Sequence, residues 1–278
     1  CTYCIIPYAR GAVRSLPADQ AAEQARGLAR QGYRELVITG IELSTYGRDL
    51  PGRPDLASLI EAVCHAVPEM RVRLGSLEPR TVTEDFCARL AALPNLCPHF
   101  HLSLQSGSDT VLARMKRKYT TQRFLESVRL LRAHFDRPAL TTDLIVGFPG
   151  ETEEEFQETL AFLQRCAFAQ MHIFPYSRRQ GTPAASMPGQ LSNAEKANRA
   201  HRGAELAQAM ERSWLTGWIG QTVPVLFEEE KDGFWRGHTP QYIEVRVKGE
   251  HLHNQLRPVT ITAAGDSLAY GTVKEEQP

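Results

Sequence analysis

The chain has 278 residues, of which 42% are hydrophobic, and its 32 basic side chains equal its 32 acidic side chains in number. This length supports one large core, or a large domain joined to a small one. A neutral balance neither indicates nor excludes a nucleic-acid partner, because a neutral chain can carry a local basic patch. No apolar run is long enough to cross a bilayer and no segment resembles a secretion signal, so we expect a cytoplasmic protein.

Helices and short apolar strands alternate through the first two thirds of the sequence. Helices are predicted at residues 18–31, 55–66, 83–93, 121–134 and 152–165, and strands at 35–39, 71–74, 99–104, 140–146 and 169–174. This alternation is typical of βαβ units and a parallel sheet. We therefore expect an α/β fold whose functional residues lie in the loops at the carboxyl ends of the strands.

The predicted secondary structure changes after residue 215. A capping-box pattern at 152–155 and another at 192–195 predict helix starts, and the second begins a long polar helix over 192–216. Short β-rich runs follow at 222–227, 234–237, 242–247, 259–262 and 268–273. We expect two domains, 1–215 and 216–278, the second a small β-barrel with six basic and nine acidic residues.

Two of the six cysteines form the motif Cys1-Thr2-Tyr3-Cys4, and the other four stand alone. The isolated thiols are expected to be buried, where cysteine behaves as a small hydrophobe. The close pair is compatible with a thioredoxin-like redox motif, with half of a zinc ribbon, or with part of an iron–sulfur site. Its spacing alone leaves these alternatives open.

The loops after the strands favour one of these three interpretations of the cysteine pair. They read TGIELSTYG at 39–47, RLGSLEP at 73–79, LSLQSGS at 102–108, DLIVGFPGE at 143–151 and FPYSRRQGTP at 174–183. In this order the chain resembles the radical S-adenosylmethionine (SAM) methylthiotransferases along its whole length. The loop at 39–47 is most similar to the branch that acts on threonylcarbamoyladenosine in tRNA.

The resemblance implies a partial (β/α) radical SAM barrel that lacks its first strand. Cys1 and Cys4 match the second and third cysteines of a C-x-x-x-C-x-x-C motif that holds a 4Fe–4S cluster, and the first would precede residue 1. The residues expected to contact SAM are Tyr3, Gly40, Glu42, Ser76, Glu78, Gln105, Ser106 and Gly147. With two thiolates, the chain by itself is expected to hold no stable cluster.

The resemblance also implies partners. The C-terminal barrel is similar to the RNA-binding TRAM module, and the expected contacts with the tRNA anticodon stem-loop are Arg114, Lys116, Arg178, Arg236 and Arg246. The resemblance implies an electron donor and a second 4Fe–4S cluster on a preceding domain. It implies neither a DNA partner nor a membrane partner. Leu16 departs from the Arg-Ser-Arg-Pro pattern of the family and removes one expected basic contact.

Three alternatives to this function stay open at this point. The enzyme could modify another tRNA adenosine or a ribosomal protein, although the loop at 39–47 favours threonylcarbamoyladenosine. The chain could also be an inactive RNA-binding fragment. Separately, the acidic C-terminal part is unusual for a module that binds phosphates through lysine and arginine, so a structural role of the barrel also stays open.

Overall fold

Five parallel strands form the first part of the computed structural model, which describes residues 1–274. They are β1 (Glu35–Ile38), β2 (Arg71–Leu74), β3 (His99–Gln105), β4 (Ala139–Val146) and β5 (Gln170–Pro175). β1 pairs with β2, and β3, β4 and β5 pair in that order. Parallel bridges from Val72 to Leu96 and from Leu77 to Leu102 join the two sets. The predicted parallel α/β arrangement is therefore confirmed.

Helices connect the strands as the sequence predicts. They are α1 (Ile6–Arg10), α2 (Ala18–Arg30), α3 (Leu56–Ala66), α4 (Glu84–Ala91), α5 (Asp109–Arg114), α6 (Thr121–His134), α7 (Glu153–Cys166) and α8 (Asn193–Thr216). Capping boxes at Thr152 and Ser192 begin α7 and α8. Sequence reasoning missed the short helices α1 and α5, because five or six residues carry too little periodicity to predict a helix.

Strand alternation divides the side chains of the sheet between two faces. One face contributes Val72, Phe100, Leu102 and Leu144 to the main hydrophobic core beneath the helices. We call the other side the inner face; it comprises Glu35, Val37, Arg71, Arg73, His99, His101, Thr141, Asp143, Gln170, His172 and Phe174. The inner face is thus mostly polar, with Val37 and Phe174 as its apolar members.

A closed five-stranded barrel follows α8. Its strands are β6 (Thr222–Lys231), β7 (Phe234–His238), β8 (Glu244–Val247), β9 (Leu256–Ala264) and β10 (Ala269–Val273), in the order β10–β8–β7–β6–β9. The predicted strand at 242–247 begins later, because Tyr242 has a left-handed φ of 65°. Leu215 of α8 already packs in the barrel core, so the boundary after residue 215 stays a prediction, and residues 275–278 lie outside the described part.

The barrel packs against the amino-terminal end of the inner face. Arg73 donates to Glu35 Oε1 at 2.8 Å and to the carbonyl of Pro240 at 2.8 Å. Arg71 donates to the carbonyl of His238 at 3.1 Å and lies 2.7 Å from Glu35. Because these groups are half-buried or buried, the loop at 238–240 forms a polar floor beneath the inner face. Among residues 1–274, no helix is long and apolar enough to cross a membrane.

Candidate functional site

The Cys1–Cys4 segment is anchored at the carboxyl ends of the strands. Buried Thr2 donates its N–H to the carbonyl of Met115 at 3.0 Å and its hydroxyl to the carbonyl of Arg114 at 3.1 Å. The Thr2 carbonyl accepts from Ala184 N–H at 2.9 Å. The bonds to Met115 and Arg114 use carbonyls that the end of α5 leaves free. The two thiols are thereby placed on either side of Tyr3, above the sheet.

The side chain of Tyr3 helps to hold the Cys1–Cys4 segment in place. Its ring meets Phe148 edge to face, with 6.2 Å between centroids. Burial raises the pKa of Tyr3 to about 12, so the phenol stays protonated in neutral solution. The Tyr3 ring therefore packs the segment against the loop that follows β4, and its hydroxyl is a polar group at the end of the ring.

Arg117 connects the thiol segment to the rest of the site, and sequence reasoning did not select it. Its guanidinium donates to Cys1 Sγ at 3.0 Å and to the hydroxyl of Tyr119 at 2.9 Å. Burial alone would lower the pKa of Arg117, but Tyr119, Tyr3 and Glu78 raise it on balance. Arg117 thus joins Cys1 to Tyr119 and fixes the position of the exposed thiol.

The remaining four cysteines are not available as metal ligands. Cys64, Cys87, Cys97 and Cys166 are buried, as the sequence predicted. Burial raises the pKa of Cys64 and Cys166 to about 12, and of Cys87 and Cys97 to about 11. Cys1 is exposed and Cys4 half-buried. The donor set of this chain thus fits two thiolate ligands of an iron–sulfur cluster, Cys1 and Cys4.

A direct test of the two-thiolate arrangement uses this chain alone. In residues 1–274, no group of three or more His, Cys, Asp or Glu side chains is placed to hold a metal ion. We expect the 278-residue chain, reconstituted anaerobically with iron and sulfide, to show no stoichiometric 4Fe–4S absorbance. A full complement of cluster in this chain would contradict the expectation and would reveal a further ligand.

The loop after β1 is held by an upstream segment. Gly40 and Glu42 are both exposed, and Glu42 accepts from the Ser44 hydroxyl at 3.0 Å. Tyr46 donates its hydroxyl to the carbonyl of Leu16 at 3.0 Å, and Gly47 donates its N–H to Ser15 Oγ at 3.0 Å. The segment that contains the unusual Leu16 therefore shapes this loop through Ser15 and a backbone carbonyl.

The loop after β2 presents a carboxylate that is already paired. Arg80 donates to both oxygens of Glu78, at 2.9 Å each. The pKa of Arg80 is raised, chiefly by its hydrogen bond with Glu78. The negative charges of Glu78 and Glu42 raise it to a smaller extent. Ser76 is exposed beside this pair. A contact between Glu78 and SAM, as the sequence predicts, would add to this ion pair or replace it.

The end of β3 changes direction at Gln105. The register with β4 shifts between Leu102 and Gln105, and Gln105 adopts a left-handed φ of 68°. Among residues 1–274, the Gln105 side chain forms no hydrogen bond. Gln105 and Ser106 are both buried, but the Ser106 hydroxyl is engaged because it accepts from Ser108 N–H at 3.2 Å. Gln105 is therefore the better placed of the two to contact a cofactor.

Gly147 begins the turn after β4. Its φ of 69° lies in the left-handed region, and a Cβ added there would overlap the side chain of Lys196. Its N–H donates to Glu151 Oε2 at 2.7 Å. The sequence predicted glycine here because a ligand approaches the backbone, whereas the structure shows that Lys196 of α8 occupies this space.

We expect Gly147→Ala to lower the free energy of unfolding by more than the roughly 1–2 kcal/mol of a left-handed alanine. Gly52→Ala is the matched control, because Gly52 has a φ of 73° with open space at its Cβ position. Urea denaturation measures both variants. Adding Lys196→Ala should remove the excess cost, and equal costs for Gly147→Ala and Gly52→Ala would refute the overlap.

The side chains expected to contact RNA lie on separate elements, and most of them already bind other groups of the protein. Arg114 forms an ion pair with Glu155, Arg178 donates to the carbonyl of Ala185 at 2.6 Å, and Lys116 is exposed with a φ of 54°. On the barrel, Arg236 and Arg246 are register partners that share Glu244, at 2.9 Å each. Contact with phosphate would have to compete with these carboxylates.

Sequence reasoning also missed the polar residues of the inner face. His101 lies 3.3 Å from Asp143, and the rings of His101 and His172 are 6.3 Å apart. The available signal was alternation: these polar residues occupy every second position in strands whose intervening positions are mostly apolar. That pattern indicates a polar face beneath the loops, although it does not show which residues meet across strands.

Comparison with known proteins finds similar sequences over nearly the whole chain. A Bacillus subtilis protein named threonylcarbamoyladenosine tRNA methylthiotransferase MtaB is 37% identical over 95% of this chain and 60% of the relative. A Symbiobacterium thermophilum protein named tRNA-2-methylthio-N(6)-dimethylallyladenosine synthase is 38% identical over 99% of this chain and 61% of the relative. The chain thus spans about 60% of the length of these curated relatives.

Solved structures share the fold at low sequence identity. The radical SAM methyltransferase TsrM from Kitasatospora setae has a TM-score of 0.56 at 17% identity, over 66% of this chain and 36% of that chain. Coproporphyrinogen III oxidase from Escherichia coli has a TM-score of 0.53 at 16% identity, over 69% and 46%. A model of the radical SAM superfamily matches residues 1–163, more than half of the sequence. The chain therefore belongs to the radical SAM superfamily.

Proposed function

We propose that this chain is part of a tRNA methylthiotransferase that adds a methylthio group to carbon 2 of threonylcarbamoyladenosine beside the anticodon. The observation that carries the proposal is 37% identity to the Bacillus subtilis relative over 95% of the chain. Relatives named for dimethylallyladenosine are similarly close. The resemblance of the loop at 39–47 to the threonylcarbamoyladenosine branch supports the choice between the two substrates.

Cys1 and Cys4 would bind a 4Fe–4S cluster together with a cysteine from a preceding segment. SAM would lie against the strand-end loops that contain Gly40, Glu42 and Gln105. When bound, these cofactors supply a carbon radical that can remove the hydrogen from carbon 2 of the base. A second 4Fe–4S cluster on a preceding domain and a cytoplasmic electron donor would complete the enzyme.

The residues of this chain have binding and positioning roles in the proposal. Arg117 donates to Cys1 Sγ at 3.0 Å and carries a charge that does not depend on pH in the physiological range. Tyr3 packs on Phe148 and keeps water from one side of the thiol segment. Arg80 orients the Glu78 carboxylate at the second strand end. Each contact holds a ligand-facing group in place before substrate arrives.

The barrel would contact the anticodon stem-loop through a mixed aromatic and basic patch. Phe234 and Tyr270 meet edge to face, with 5.9 Å between centroids, and Lys248 lies 6.0 Å from the Phe234 ring. Bases stack on exposed aromatic rings, and a nearby cation attracts the phosphate. Arg236 and Arg246 lie on neighbouring strands and would extend this patch.

Nucleoside analysis of a deletion strain tests the proposed substrate. We expect mass spectrometry of its tRNA to show loss of 2-methylthio-threonylcarbamoyladenosine, with other methylthio nucleosides retained, and the full-length gene should restore it. An unchanged level of this nucleoside would refute the assignment. Selective loss of the dimethylallyl derivative would instead assign the enzyme to the second group of relatives.

A further inference from the structure

Three side chains on the inner face form a group with no assigned role, which we call the inner-face triad. The triad consists of His101 on β3, Asp143 on β4 and His172 on β5. His101 Nε2 lies 3.3 Å from Asp143 Oδ2. His172 is the register partner of Asp143, and the two imidazole rings are 6.3 Å apart. Donor and acceptor groups thus lie side by side on adjacent strands.

The triad lies within reach of the mouth formed by the strand-end loops. Asp143 and His172 each lie three residues before the last residue of their strand. At about 3.3 Å per residue, they are roughly 10 Å below the loops. Phe174, which is 51% exposed, stands on the same face above His172. A nucleoside substituent that enters through the mouth could therefore reach the triad beside an aromatic wall.

Other cationic groups deeper on the inner face are already engaged. Arg71 and Arg73 bind Glu35 and the backbone carbonyls at 238–240. Burial lowers the pKa of His99 to about 3, so this ring is neutral. His172 is exposed, and among residues 1–274 it forms no hydrogen bond or ion pair. It is therefore an available donor at this depth.

Asp143 is an available acceptor. Thr141 Oγ1 lies 3.0 Å from His101 Nδ1 and 3.4 Å from His99 Nε2. If Thr141 donates to Nδ1, His101 carries its proton on Nε2, which faces Asp143 Oδ2 at 3.3 Å. Within the described residues, the second carboxylate oxygen of Asp143 has no hydrogen-bond donor. The triad therefore presents one free donor and one free acceptor.

We propose that the inner-face triad selects the substrate by binding an amino acid that is linked through a urea to N6 of adenosine. His172 donates to the carboxylate of that amino acid, and Asp143 accepts from its hydroxyl or from a urea N–H. A dimethylallyl group offers neither partner and would leave both polar groups unsatisfied, which penalises its binding. This inference rests on the proposed function and names residues that would determine its specificity.

Binding of three anticodon stem-loops to the full-length protein tests the proposal. The RNAs carry threonylcarbamoyladenosine, dimethylallyladenosine or unmodified adenosine at the same position, and fluorescence anisotropy gives each Kd. We expect His172→Leu to weaken binding of the threonylcarbamoyl RNA by about ten- to a hundredfold, as for a lost hydrogen bond to a charged group. Binding of the unmodified RNA should not change.

Two further variants separate recognition from loss of structure. His172→Gln keeps a donor amide and should retain most of the preference. His201→Leu removes an exposed histidine from α8 and should behave as wild type. Equal weakening of all three RNAs, or an unchanged preference in His172→Leu, would overturn the inference. A wild-type protein that prefers the dimethylallyl RNA would instead refute the proposed function.

Discussion

Replacing Cys4 by alanine in the full-length protein is expected to abolish formation of deoxyadenosine from SAM. Cys4 and Cys1 lie outside the core at the carboxyl ends of the strands, whereas the other four thiols are buried. Three thiolates hold a 4Fe–4S cluster in the proposed site, so the loss of one leaves too few ligands. Iron analysis after anaerobic reconstitution should show the loss of one cluster, and chromatography should show no deoxyadenosine.

Cys166→Ala is the matched control for this experiment. Cys166 is buried in the main core, where burial raises its pKa to about 12, so it is not expected to bind metal. We expect this variant to retain full iron content and SAM cleavage, with a modest loss of stability from the small cavity. Retention of the cluster in Cys4→Ala, or its loss in Cys166→Ala, would refute the assignment of ligands.

Replacing Arg199 by methionine is expected to lower the free energy of unfolding by about 3–5 kcal/mol. Arg199 Nη1 lies 2.6 Å from Glu151 Oε2, and the two side chains are only 8% and 1% exposed. The substitution leaves a buried carboxylate without its cation, while Glu151 still accepts from Gly147 N–H at 2.7 Å. Denaturant unfolding measures the loss.

The pH dependence of this variant gives a second readout. Burial raises the pKa of Glu151, and removal of Arg199, whose charge lowers it, should raise it further. A raised carboxyl pKa means that the folded state binds the proton more tightly than the unfolded state. The destabilisation by Arg199→Met should therefore be smaller at pH 5 than at pH 8.

Two controls distinguish a buried ion pair from general disruption. Glu151→Gln in the Arg199→Met background removes the unpaired charge and should recover much of the stability. Arg26→Met disrupts an ion pair with Glu23 in which both side chains are about half exposed or more, and should leave the midpoint unchanged. If the double variant is no more stable than Arg199→Met, the explanation by an unpaired charge is wrong.

The regular elements of this protein were largely predictable because their signals are local. The strand predicted at 140–146 from its length and flanking turns coincides with β4 to within a residue. Thr152 and Ser192 begin helices through bonds to the backbone three residues away. Tyr242 was wrongly included in a strand, because its stacking on His99 accompanies a left-handed backbone that no local pattern indicated.

The candidate site was predictable as a set of loops but not as a set of contacts. The family resemblance implied that Cys1 and Cys4 are two thiol ligands, whereas the approach of Arg117 to Cys1 joins residues 116 positions apart. Glu78 was assigned to a cofactor, yet its nearest partner is Arg80. Ser106 was assigned in the same way, although its hydroxyl stabilises its own loop. Motifs report residue types, and side-chain direction depends on packing.

The sequence by itself determined the number of strands, the order of the strands and longer helices, and the thiol motif, because propensity, alternation and capping act over a few residues. Tertiary structure alone decided which polar groups meet. The Glu151–Arg199 pair, the floor at 238–240 and the inner-face triad join distant segments. Their energies depend on burial and on distances across the sheet, which sequence separation does not encode.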